Sequence, residues 1–262
     1  MSTIVTTDAI VLKSMKYRET SKIVAFYTHK FGKISAIVKG ARRSKSKYGS
    51  SLEPMSYVSV VIYKKEGREL QTVSQCDVIK PFRHLTDDLD KIAVGLSVIE
   101  LVSIVAHEEE ENIPLFNLVI DTLTALNDAK RNPSNLFYSF QMHLAQVLGF
   151  QPIFDRCISC GSDILSTASI NESIEYHLDK GGPLCVNCSN VPGHRTKLSP
   201  KVFNILERIA STSTFDSMQN LEIDKKSRNE IESFLWSYLQ YHVTGFRALK
   251  STKVFSRILL LP

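Results

Sequence analysis

The chain has 262 residues, 43% of them hydrophobic and 23% charged, a balance that excludes disordered and fibrous classes and fits one to three globular domains. Its net charge of +5 is unevenly spread: fifteen of the 32 basic residues but only six of the 27 acidic ones lie in residues 1–80, which therefore carry +9 against −4 for the rest. That asymmetry suggests a polyanion-binding module joined to something else. Met1 to Ile10 lacks a basic start followed by an apolar core, and the most apolar stretch, Ile92–Ala106, is too short for a bilayer and contains Glu100. A cytoplasmic protein with no membrane partner is expected.

Residues 1–80 read as five or six short strands with Gly-containing turns. Ile4-Val5, Ala9–Leu12, Ile23–Tyr27, Ile34–Val38, Tyr57–Tyr63 and Leu70–Val73 are the candidates, and such a run fits a small barrel. Pro81 marks the expected boundary. From residue 85 the period becomes helical: Leu89, Ile92, Leu96 and Ile99 share one face, Val94, Val98 and Val102 lie on the other, and Asp87-Asp88 suit the N-terminus. Apolar residues on both sides predict a buried central helix. Further helices are expected over Leu115–Asn127, Asn135–Leu148, Pro200–Ser211 and Arg228–Leu249.

Residues 155–191 hold four of the five cysteines, as Cys157-Ile158-Ser159-Cys160 and, after 24 intervening residues, Cys185-Val186-Asn187-Cys188. Two residues between paired cysteines let both thiolates of a tight knuckle reach one ion, and two knuckles complete a tetrahedral four-thiolate site. Strand-like Ser173–Leu178 and turn-like Asp179–Gly182 between the pairs describe a zinc ribbon. One Zn²⁺ per chain is expected, structural rather than catalytic because four thiolates leave no open position for water. His177 and His194 could each replace a cysteine but read more simply as surface histidines, and Cys76 as a small buried strand residue.

The segment Lys39–Gly49 contains Lys39, Arg42, Arg43, Lys45 and Lys47 and no acid. A flexible basic loop of this kind on a barrel rim contacts phosphates without reading sequence. Lys13, Arg18, Lys22 and Lys33 add charge in the same module, and Tyr17 and Tyr48, beside basic residues in turns, are the best candidates to stack bases. No phosphate-binding glycine loop, nucleophile elbow or His-Glu-x-x-His pair occurs, so no catalytic residue is assigned and a non-enzyme is expected. Glu108–Glu111 read as a solvated acidic loop that keeps its surface off DNA. The competing classes are an RNA-binding barrel with a zinc ribbon, a metal-dependent nuclease and a thiol oxidoreductase; the missing carboxylate cluster opposes the nuclease.

In order and spacing, Ala9–Lys13, Tyr17–Lys22, Gly32–Ile34, Val38–Arg43, Leu52–Pro54, the two cysteine pairs with Gly161 and Gly181-Gly182, and the closing Leu239, His242 and Leu249–Ser251 resemble the bacterial RecO family in its zinc-bearing form. The resemblance implies an α+β multidomain chain: an N-terminal OB-fold barrel over residues 1–80 and a helical domain over 81–262 with an inserted zinc module. It implies binding to single- and double-stranded DNA, with Lys39, Arg42 and Arg43 as contacts, and annealing of complementary strands. It also implies work on the acidic tail of single-strand binding protein, so that RecA loads in concert with RecR.

Overall fold

The computed structural model describes residues 2–164, 173–188, 192–212, 215–247 and 249–251. Five strands form the N-terminal part: β1 (Ser2–Tyr17), β2 (Ser21–Thr28), β3 (Gly32–Val38), β4 (Tyr57–Lys65) and β5 (Leu70–Lys80). They close in the order β1-β2-β3-β5-β4, with β4 returning to β1. Closure depends on the length of β1, which the sequence suggested as two short pieces. Its first half pairs with β4 (Ser2–Ile10) and its second with β2 (Ala9–Tyr17), and a bulge between Val11 and Lys13 turns it from one neighbour to the other. All pairings are antiparallel except β3 with β5. This is the OB-fold architecture.

Alternation fills the barrel. Val24, Phe26, Ile34, Ala36, Val58, Val60 and Ile62 point inward into one buried cluster. Cys76 belongs to it, and burial lifts its thiol to about 11, so it is an inert packing residue as expected. Tyr48 and Leu52 of the β3–β4 connection enter the same cluster.

After the 3₁₀ turn Arg83–Leu85 come α1 (Leu89–Val105) and α2 (Ile113–Asp128). Asp88 caps α1 by accepting from the backbone N–H of Asp90 and Lys91. The helix is buried as expected, though Val98, Leu101 and Val102 lie deepest and Leu89 is exposed. Phe116 of α2 lies against Tyr27, His29 and Tyr57 of the barrel, with ring centroids 6.0, 5.2 and 6.3 Å away. Residues 249–251 return to this part of the chain. The Glu100 carboxylate accepts from the backbone N–H of Lys250 (2.9 Å) and Ser251 (3.0 Å) and from the Ser251 hydroxyl (2.7 Å).

Two compact units result: Met1–Asp128 with Ala248–Pro262, and Ala129–Arg247. Strands do give way to helices near residue 81. Compactness divides the chain later because α1 and α2 pack on the barrel's own residues.

The second unit contains α3 (Pro133–Val147), β6 (Ile174–His177), β7 (Gly182–Leu184), β8 (Arg195–Leu198), α4 (Pro200–Ser211), a 3₁₀ helix over Phe215–Asn220 and α5 (Lys225–His242). Ser199 and Asp224 cap α4 and α5, each accepting from a backbone N–H three residues on. The last helix was expected to reach Leu249. It stops at His242, whose Nε2 lies 2.8 Å from the Leu178 carbonyl, and Gly245 then takes φ +75°. Tyr176, Phe154, Phe203, Phe234 and Tyr238 form this unit's aromatic core.

Candidate metal centre and nucleic-acid interface

The second cysteine knuckle directly follows β7, and the first lies against the same strand. Turns of backbone hydrogen bonds shape each knuckle, Gly161 N–H to Cys157 O and Cys188 N–H to Cys185 O, both 2.9 Å. Ile158 N–H donates to the Pro183 carbonyl at 3.0 Å and joins the first knuckle to β7. The approach is close enough to require glycine at 182, because a Cβ there would collide with Ile158 Cγ2.

The four sulfurs of Cys157, Cys160, Cys185 and Cys188 lie within 4.8 Å of one another. A tetrahedral ion with metal–sulfur bonds of about 2.3 Å needs sulfur–sulfur edges of about 3.8 Å, and disulfides need about 2.0 Å. The Cys160–Cys185 separation of 3.6 Å matches the former, and all five cysteines are free thiols. The group can therefore hold one metal ion.

Hydrogen bonding prepares the thiols. The Ser162 hydroxyl, then its backbone N–H and contacts with Cys157 and Cys185, pull Cys160 down to about 6. Burial raises Cys157, but backbone N–H groups of Cys185, Cys160 and Ser159 outweigh it and leave the thiol lowered. Ser159 lowers Cys188, and the other three thiols together push it up to about 11. Neighbouring thiols together with desolvation thus oppose ionisation of Cys188, and a cation held among the four sulfurs would offset that opposition.

His177 is a correction: it is fully buried rather than on the surface. Its Nδ1 pairs with the Asp179 carboxylate and its Nε2 lies 3.0 Å from the Pro192 carbonyl, so it braces the β6–β7 turn and stands outside the metal-capable group. His194 is exposed, 5.3 Å from the Tyr241 ring. Of the expected module over residues 155–191, residues 165–172 and 189–191 lie outside those described. The third strand β8 was missed, because Arg195-Thr196-Lys197-Leu198 is half charged and carries little strand signal.

The basic residues fall into two groups at opposite ends of β3. At the Val38 end, the β1–β2 turn and the segment after β3 come together: Arg42 N–H donates to Thr20 O (3.0 Å), and Arg42 Nη1 to Arg18 O (2.8 Å). Arg18, Lys39, Arg42, Arg43, Lys45 and Lys47 are exposed there. Arg18 lies 5.2 Å over the Tyr17 ring and leaves that half-buried tyrosine as a platform on the rim. The segment is folded rather than loose: Ser46 N–H donates to Arg43 O, Ser51 N–H to Tyr48 O, and Lys47 Nζ to Ser74 O.

Tyr48 is not placed to stack bases. It is 8% exposed, its hydroxyl donates to Ser74 O at 3.3 Å, and burial raises its phenol. An aromatic among lysines looks like a platform in sequence, and only the tertiary fold turns this one inward. Lys13 is exposed further along β1. Lys22 is engaged by Glu53 at 2.8 Å. Lys33 belongs to the other end of β3, where its Nζ donates to Ser103 O at 3.3 Å.

In the second unit an open groove of about 550 Å³ runs between Gly149–Arg156 and Glu207–Ser211. Arg156 there is paired with Asp155, and Glu207 adds a second acid, so its charge does not select an acidic peptide. Among the described residues no helix is long and apolar enough to cross a membrane.

Comparison with known proteins agrees with these features. Residues 1–82 match the family described as Recombination protein O N terminal, and residues 86–253 the family described as Recombination protein O C terminal. A DNA repair protein RecO of Salinibacter ruber is 33% identical over 97% of this chain and 94% of its own length. One from Chlorobaculum parvum is 32% identical over 98% and 99%, and one from Chloroherpeton thalassium 29% over 96% and 98%. With both family domains in sequence along one chain, an OB barrel first and a four-cysteine centre in the second unit, the protein belongs to the RecO family of DNA repair proteins.

Proposed function

We propose that this chain is a non-enzymatic recombination mediator of the bacterial cytoplasm, working at the nucleoid. It binds single- and double-stranded DNA, anneals complementary strands, and with RecR helps RecA load onto DNA coated by single-strand binding protein, whose acidic tail it engages. The observation that carries this reading is the exposed cationic rim of the barrel. Arg18, Arg42 and Arg43 are gathered by the Arg42–Arg18 hydrogen bond beside the Tyr17 ring. Such a rim screens phosphate repulsion without base-specific contacts, and a stacking ring holds bases accessible. Annealing then needs no nucleotide hydrolysis, because pairing is downhill once strands meet.

The bound metal in this reading is a single Zn²⁺ held by Cys157, Cys160, Cys185 and Cys188. Four thiolates saturate it, so it ties the knuckles together and supplies no reacting water.

The test is annealing of complementary oligonucleotides already coated with the cognate single-strand binding protein, without ATP. Acceleration is expected. Acceleration on bare strands only would remove the partner function and leave a general basic barrel.

A further inference from the structure

Strand alternation turns Tyr27, Lys33 and Ser35 away from the barrel interior, where Tyr27 is buried under Phe116 and Lys33 and Ser35 are half-buried. OB barrels bind oligonucleotides on the β2–β3 face together with the β1–β2 and β4–β5 loops, and of these the β4–β5 loop, Glu66–Glu69, is exposed at the Lys33 end. The acidic segment Glu108–Glu111 lies at the Lys33 end of that face. Glu108 bridges to Gly32 and Lys33, and Lys33 N–H donates to the His107 carbonyl at 3.1 Å. The Tyr27 hydroxyl donates to Asn112 O at 3.2 Å. The Glu109 carboxylate pairs with Lys64 at 3.2 Å, at the start of the β4–β5 hairpin. Gly32, at φ +58°, is needed for this docking, since a Cβ there would collide with the Glu110 carbonyl. Arg68 shares with Lys33, Glu108 and Glu109 the lining of an open cavity of about 260 Å³. The acidic side chains are exposed, as expected from sequence, but the backbone beneath them is docked and one of them, Glu109, pairs with a cation.

We propose that Glu108–Glu111 is a built-in competitor for nucleic-acid phosphates, with Glu109 occupying Lys64 and Glu108 lying beside Arg68 around one cavity, so that a long single strand reaches this end of the barrel only by displacing the acidic side chains. The inference rests on the barrel being a single-strand binder. Under it the two ends of the face differ in kind. The Arg18–Arg42 rim is open to any strand, whereas the Lys64–Arg68 end engages only tracts long enough to gain from the exchange. A short strand then leaves easily and a long one is retained.

The experiment is a double-mutant cycle on the full chain, with Kd for a thymidine tract of about 16 nucleotides measured against salt. The first arm neutralises the segment (E108Q/E109Q/E110Q/E111Q); the second removes the cations (K64Q/R68Q); the third combines them. Neutralisation should tighten binding about tenfold at low salt. It should also steepen the salt slope by about 1.4, from two more phosphates at about 0.7 each. In the parent a tract of this length is held at the open rim and does not displace the acids, so K64Q/R68Q should change the parent less than twofold yet abolish most of that gain in the neutralised background. Equal losses in both backgrounds would mean a general charge effect and overturn the proposal, as would no gain on neutralisation. If the fourfold variant does not fold, E109Q alone removes the Lys64 pair and must show the same coupling to K64Q. Failure of the parent itself to bind the tract would instead overturn the DNA-binding reading, and that is seen before any variant is made.

Discussion

The barrel and the cysteine module hold short strands together by different means. The barrel closes strands of 7 to 16 residues around a buried apolar cluster, so every ladder has a partner and every inward side chain a neighbour. The module has three strands of four, three and four residues. Tyr176 packs against Phe154 and Phe234, and the four cysteines gather beside this small sheet. The barrel thus has a closed apolar core of its own, whereas the module has a four-cysteine group that can hold a metal ion.

The largest expected effect breaks this contrast directly. Replacing Cys157 by Ser, or stripping the metal with a chelator, should remove an interaction worth on the order of 10 kcal/mol in small zinc modules. Zinc content should fall from one per chain to near zero. Amide exchange should lose protection across β6 and β7 while β2, β3 and β4 keep theirs. Full metal content in the Cys157→Ser protein would sink the four-cysteine assignment.

Next in size is a pair of tyrosines that look alike in sequence. Tyr48→Ala should open a hole in the barrel cluster and cost about 3–5 kcal/mol, read from urea unfolding. Tyr17→Ala should leave stability within about 0.5 kcal/mol and weaken single-strand binding by about 1–3 kcal/mol. Reversed outcomes would exchange their roles and move the interface off the rim.

This pair also shows what the sequence could and could not convey. The cysteine spacing identified the metal-capable site residue by residue, because each knuckle is a local geometry written into four consecutive positions. The strands and most helices followed from period, caps and turns. The exposed rim followed only in part: its arginines and most of its lysines are exposed as expected, but whether Tyr48 faces in or out, whether Lys22 is engaged by Glu53, and which end of β3 holds Lys33 depend on partners 26, 31 and 70 residues away. His177 was misread for the same reason, its environment being set by the buried β6–β7 turn rather than by its polar neighbours. The last two turns assigned to α5 failed because Val243 turns extended and Gly245 takes φ +75°, which the helical pattern does not signal.

On the rim, Arg42→Glu with Arg43→Glu should weaken DNA binding about tenfold or more at moderate salt. It should also flatten the salt slope by about 1.4 for single strands, without shifting the unfolding midpoint. An unchanged slope would show that phosphates are met elsewhere, with Lys13 the next exposed candidate.

The smallest effect separates the two units by pH. Burial opposes the Glu100 charge, but hydrogen bonds from Ser251 and Lys250 outweigh it and hold the carboxyl below its ordinary 4.5. A depressed carboxyl stabilises the fold fully above its unfolded value and loses that contribution as pH falls through the folded one. Glu100 is partly exposed, so solvent screening reduces the effect to about 1 kcal/mol. Glu100→Gln should therefore cost about that much at pH 7 and progressively less once the pH drops below 4.5. The loss should be seen in the exchange of α1 amides and not in those of β6. A cost that stayed constant with pH would mean that Gln fails to fit sterically, and that the ionised carboxylate is not what fixes residues 250 and 251 to α1.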